Sequence, residues 1–188
     1  MKKYLALLLC SLCLTACAKI ATEAPRYKNP TGNRFPILAW FSIADDSAVT
    51  HQRYLEMQEA GFNISFSHFG RAKLVAKALE ACKGTGVKQM IMCSELTDQT
   101  VATVNLFKND SMVAGWFLRD EPVAKDFPQL LDYRDRIYQA DTNHLTYLNL
   151  FPDLLDPEDL GCKDYEDYVE RFVNEVNLPQ ISFDQYPV

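Results

Sequence analysis

From residue 35 onward, short apolar runs alternate with amphipathic stretches. FPILAWFSI (35–43) is rich in strand formers. SAVTHQRYLEMQEAG (47–61) follows it with Val49, Tyr54, Leu55 and Met57 at roughly helical spacing. Ser47 suits its N-cap and Gly61 its C-terminal stop. The unit then repeats. FNISFSHF (62–69), VKQMIMCSE (87–95), SMVAGWFL (111–118), HLTYLNLFP (144–152) and PQISFDQYPV (179–188) read as five more strands. Between them RAKLVAKALEACKGTG (71–86), TDQTVATVNLFKND (97–110), DFPQLLDYRDRIYQAD (126–141) and YEDYVERFVNEV (165–176) read as helices.

Strands alternating with helices imply a parallel sheet. The strand runs are near-continuously apolar, as strands covered on both faces are. A doubly wound nucleotide fold wants a glycine-rich loop after its first strand. Here that place holds FSIADDSA (41–48), polar and acidic. The expected fold is therefore an α/β (β/α)8 TIM barrel. Such a barrel needs eight strands, so about six β/α units make it incomplete. The expected account is the N-terminal part of a longer chain; a genuine open six-stranded sheet is the alternative.

The first residues read as a targeting segment, to be set aside from the fold. Lys2 and Lys3 precede an apolar run from Tyr4 to Leu14, too short to span a bilayer permanently. Leu14-Thr15-Ala16-Cys17 resembles a bacterial lipobox. That resemblance implies a signal peptide over 1–16 and lipidation of Cys17. Residues 17–34 then form a polar tether, and 35–188 the barrel domain. The implied location is the bacterial cell envelope, with the membrane as a partner through the lipid. An ordinary cleaved signal is the alternative. Of the six cysteines only Cys82, Cys93 and Cys162 lie in the body, which makes neither a disulfide framework nor a zinc spacing. Cys82 and Cys93 read as small core residues.

The chain carries a formal charge of −6. Without Lys2 and Lys3, 17 basic residues face 25 acidic ones, which argues against nucleic acid as a partner.

In such barrels function collects at the C-terminal strand ends. The first strand ends near Trp40, Ser42 and Asp45, the second in Ser67 and His68, the third in Ser94 and Glu95. The fourth ends in Arg119, Asp120 and Glu121, the fifth in Asn149 and Phe151, the sixth in Asp184, Gln185 and Tyr186. The rim is acidic and aromatic, better suited to a neutral polyhydroxylated ligand than to phosphate.

RDEP (119–122) and SFDQYP (182–187) resemble the fourth and sixth strand ends of the clan A glycoside hydrolases. The resemblance implies a retaining glycosidase in which Glu121 is the general acid/base and Asp120 stands where asparagine is usual. Tyr186 takes the family's tyrosine position, and Asp184 that of its histidine. The nucleophile, about 5 Å from the acid in a retaining enzyme, falls on a strand beyond this chain. Trp40, His68, Glu95, Asn149, Asp184 and Tyr186 shape the carbohydrate subsite on this reading. No cofactor is implied.

Each residue has a plainer reading. Asp120 and Glu121 before Pro122 suit the start of a helix, although Asp126 offers a better cap. His68 reads equally as a hydrogen-bonded strand-end residue, Glu95 as a loop acid, Tyr186 as packing, and Trp40 and Trp116 as core. The acidic stretch 156–168 reads as a solvated loop and helix face. A glycan-binding lipoprotein without catalysis is the alternative function. A metal site drawing on His68, Glu95, Asp120 and Asp184 is a weaker third.

Overall fold

The computed structural model describes residues 26–186. The expected leader, the expected lipidation of Cys17 and the first part of the expected tether fall outside the described residues. Five parallel strands form one sheet: β1 (Leu38–Ala39), β2 (Ile64–Phe66), β3 (Lys88–Ile91), β4 (Val113–Asp120) and β5 (Leu145–Asn149). Their order is sequential, β1-β2-β3-β4-β5, and every pairing is parallel. A doubly wound sheet reverses its order part-way; this one does not.

The sheet is curled. In a flat sheet, strands about 4.8 Å apart would put β1 and β5 roughly 19 Å from each other. Yet the Trp40 ring, just past β1, lies 6.5 Å from the Tyr147 ring on β5 and 5.7 Å from Phe117 on β4. The result is the wall of a half-barrel.

The helices cover its convex face: α1 (His51–Glu59), α2 (Ala72–Cys82), α3 (Ser94–Asp98), α4 (Thr100–Phe107), α5 (Phe127–Ala140), α6 (Pro157–Leu160) and α7 (Tyr165–Arg171). A π-helical turn, Phe172–Val176, continues α7. Strand alternation divides the core. From β4, Val113, Trp116 and Leu118 join the helix layer, while Ala114 and Phe117 join an inner cluster with Ile64, Phe66, Met90 and Leu145.

Gly115 is required for β4 to approach β5. A Cβ there would lie 2.3 Å from the Leu145 carbonyl oxygen. Trp116, fully buried, donates from Nε1 to Asp141 Oδ2 at 2.9 Å, and His144 Nδ1 holds the same oxygen at 2.6 Å. This joint ties β4 to the α5–β5 turn. Cys82 and Cys93 are buried free thiols in the helix layer.

Several sequence expectations are corrected. The first helix is capped by Thr50, whose side chain accepts from Arg53 N–H; Ser47 belongs to a preceding 3-10 turn capped by Asp45. The third strand stops at Ile91, and Ser94 and Glu95 open α3. The third helix is split at Gln99 into α3 and α4. The sixth strand is reduced to one parallel bridge, Leu150 to Phe183. The acidic stretch contains a short helix, α6, ended by Gly161 at φ 71°.

Candidate functional site

The strand ends meet where β4, β5 and the 182–186 segment come together. The β4–β5 register slips between Phe117 and Asp120, which sets Asp120 opposite Asn149. Such irregularities re-aim side chains. Glu121 follows in a left-handed conformation, φ 45°, its N–H donating to the Asn149 carbonyl at 2.8 Å. Phe41, at the end of β1, is also left-handed at φ 47°. Backbone strain of this kind gathers at functional sites.

Asn149, buried, organises the cluster. Its Nδ2 donates to Asp184 Oδ1 at 2.9 Å and, more loosely, to Asp120 Oδ1 at 3.4 Å. Its Oδ1 accepts from Ser182 Oγ at 3.0 Å. With the Ser182 proton so used, Tyr147 OH donates to Ser182 Oγ at 2.7 Å. Tyr186 OH donates to Asp184 Oδ2 at 3.3 Å. Two of these donors, Asn149 Nδ2 and Tyr186 OH, meet Asp184, and Asn149 Nδ2 also reaches Asp120.

Burial pushes the Asp120 carboxyl up, and the neighbouring Asp184 adds to this; the Asn149 amide and His68 oppose it. Burial also raises Glu121, and the charges of Asp120 and Asp184 raise it further. Among the described residues, none of these three acids has a lysine or arginine within 4.0 Å. Arg119, which precedes them, turns instead to Asp126 at 3.4 Å. The cluster thus concentrates acidic groups, and burial raises the pKa of both Asp120 and Glu121.

Aromatic rings flank the acids. Phe66 and Phe117 pack at 4.3 Å, Trp40 lies 4.6 Å from Phe66, and Phe41 lies 4.6 Å from His68. Burial lowers the pKa of His68, and Asp120 partly offsets this.

The structure therefore brings together Asp120, Glu121, Asn149, Asp184 and Tyr186, with Trp40 and His68 beside them. Glu95 is used elsewhere: its Oε2 accepts the Ala72 N–H at 2.9 Å and so satisfies the start of α2. The reading of Asp120 and Glu121 as a helix start is corrected too. Asp120 still belongs to β4, and Asp126, whose Oδ2 accepts from Val123 N–H, closes the turn before α5. Among the described residues no three of His, Cys, Asp and Glu are grouped to hold a metal ion. Phe41, Phe66, Phe117, Tyr147 and Ser182 were missed as site residues. For Phe66, Phe117 and Tyr147 the inward alternation of their strands was the available signal.

No protein-family model matches the chain, and no curated protein matches it. Among solved structures, it is similar to a truncated form of 3-deoxy-D-arabino-heptulosonate 7-phosphate synthase from Thermotoga maritima. The two share 12% identity and a TM-score of 0.48, over 79% of this chain and 50% of that one. This chain thus spans about half the length of that structure. The resemblance to clan A glycoside hydrolases is corrected on these findings. No family model and no curated protein supports it. The retaining-glycosidase mechanism, its nucleophile on a later strand, the carbohydrate subsite and the glycan-binding lipoprotein alternative are withdrawn with it.

Proposed function

We propose that the strand-end cluster is an acid–base site for a small organic molecule that is cationic or uncharged. Glu121 carries the exchangeable proton. Burial, and then the charges of Asp120 and Asp184, hold its pKa up, and Asn149 fixes both acids. Trp40 and Phe41, both exposed, offer apolar faces against which the ligand rests, and a cation gains further from ring faces. Tyr186 and His68 border the entrance. The observation that carries this reading is the Asn149 amide between Asp120 and Asp184, with Glu121 strained beside them and, among the described residues, no lysine or arginine within 4.0 Å of the three acids. A carboxyl whose pKa is raised by burial and like charge suits proton transfer. Phosphates and other anions are disfavoured by the same charge.

We infer further that the five strands and the bridged sixth segment are part of an eight-stranded (β/α)8 wall. The sequential parallel order and the curl support this.

The test is a panel of amines, neutral alcohols and inorganic phosphate, followed by shifts of the Trp40 indole and the Tyr186 ring. Amines or alcohols should bind and phosphate should not. Turnover of any binder should fall about 10²- to 10⁴-fold in Glu121→Gln, the ordinary contribution of a general acid–base group. Phosphate binding among these residues, or unchanged turnover in Glu121→Gln, would refute the proposal.

A further inference from the structure

Two hollows flank one seam of the sheet, on opposite faces. Inside the curl is a cavity of about 360 Å³ lined by Leu38, Ile64, Met90, Leu145, Tyr147 and Ile181. Outside, between β1 and α1, runs a groove of about 570 Å³ lined by Ala39, Ile43, Ala48, Met57, Ala60 and Phe62. The groove is larger than the cavity and contains none of the strand-end acids.

The seam itself is unpaired. Among the described residues β1 pairs with β2 alone, and Phe183 with Leu150 alone. Apolar side chains stand exposed along both borders: Phe35 (81%) and Ile37 (43%) beside β1, Ile181 (48%) and Phe183 (51%) opposite. A free sheet edge is normally guarded by charge, proline or a bulge. Pro36 is the only such residue from Phe35 to Phe41.

We propose that this seam seats a parallel strand–helix unit of the same polypeptide. Its strand pairs with the outer edge of β1, its inward side chains fill the inner cavity, and its helix lies along α1 in the groove. The two hollows fit the two parts of one unit, because a strand entering a parallel sheet is followed by a helix on the outer face in right-handed order. The groove also continues the helix layer that α1 and α2 already form.

A second copy fits poorly. A two-fold dimer would pair β1 edges antiparallel and bring no helix into the groove. A head-to-tail copy would leave an edge open at each end and grow into filaments. The proposal rests on the eight-stranded reading of the wall and not on the proton chemistry of Glu121, which its own titration tests.

The experiment uses the natural gene product from its source cells. Its intact mass and coding sequence are determined, and amide exchange is followed at Ile37–Ala39 and Ile181–Phe183. The expected product carries further apolar strand segments and protects these amides at least tenfold more than the 188-residue chain does. Ala60→Arg, in the groove, should lower the melting temperature of that product and leave the 188-residue chain unchanged. The proposal is overturned if the product has no further strand or if those amides exchange freely in it. It is equally overturned if Ala60→Arg acts alike in both chains, or if protection depends on protein concentration, as a second copy would require.

Discussion

Replacing Asp141 with Asn leaves the shape of the β4–α5 joint and removes its charge. Asp141 is 5% exposed. Its Oδ2 receives Trp116 Nε1 at 2.9 Å and His144 Nδ1 at 2.6 Å, and its Oδ1 receives the Asn143 N–H at 2.8 Å. Burial alone would raise its pKa. The bonds from His144, Asn143 and Trp116 win, and hold it at about 2 against an ordinary 3.8. At about 1.4 kcal/mol per unit, the depressed value corresponds to roughly 2 kcal/mol of stability. An amide has one oxygen for three donors, so at least one buried N–H loses its acceptor, at a further cost of about 1 kcal/mol or more. Asp141→Asn should therefore destabilise by about 3 kcal/mol at pH 6. The sign with pH follows from the depression. The carboxylate's contribution is complete above 3.8 and is lost as pH falls through about 2. Urea unfolding of both proteins should show a gap that narrows by about 2 kcal/mol between pH 6 and pH 2. A gap that is constant with pH, or below about 0.5 kcal/mol throughout, would refute the assignment of the joint to this carboxylate.

Three further outcomes follow from single contacts. Gly115→Ala forces a Cβ to within 2.3 Å of the Leu145 carbonyl oxygen; the cost should be at least the ~1–3 kcal/mol of core overpacking, read by denaturant melts, with amide exchange rising along β5. Tyr54→Phe removes the donor to Gln89 Oε1 at 2.8 Å inside the core and should cost about 1–2 kcal/mol in chemical unfolding. Thr50→Ala removes the α1 cap and should cost about 1 kcal/mol in the same assay.

Much of the fold was legible because its elements repeat one pattern. The apolar runs 62–69, 87–95 and 144–152 each contain an observed strand, and 111–118 covers all of β4 but its last two residues, Arg119 and Asp120. Boundaries failed where local hydrogen bonding decides. Thr50 outcompetes Ser47 as the α1 cap because its hydroxyl meets the Arg53 N–H. Ser94 and Glu95 look like a strand end but start α3, Glu95 serving as acceptor for the neighbouring helix. The 179–188 run has strand composition, yet among its described residues only Phe183 pairs.

The site was legible as positions and not as partners. Asp120, Glu121, Asn149, Asp184 and Tyr186 could be placed at strand ends from alternation alone. That Asn149 would hold Asp120 and Asp184, or that Phe41 would fold back over His68, depends on a register slip and a positive φ, which no composition pattern encodes. The short resemblance carried by RDEP pointed to Asp120 and Glu121, which lie in the strand-end cluster, and to a family the comparisons do not support.

The most direct test of the account is a carboxyl-¹³C titration of Glu121 in the wild-type chain and in Asp120→Asn. The account places the Glu121 pKa above the ordinary glutamate value of 4.5, through burial and the charges of Asp120 and Asp184, and predicts that it falls when Asp120 loses its charge. A Glu121 that titrates at the ordinary value in both proteins would contradict the acid–base site.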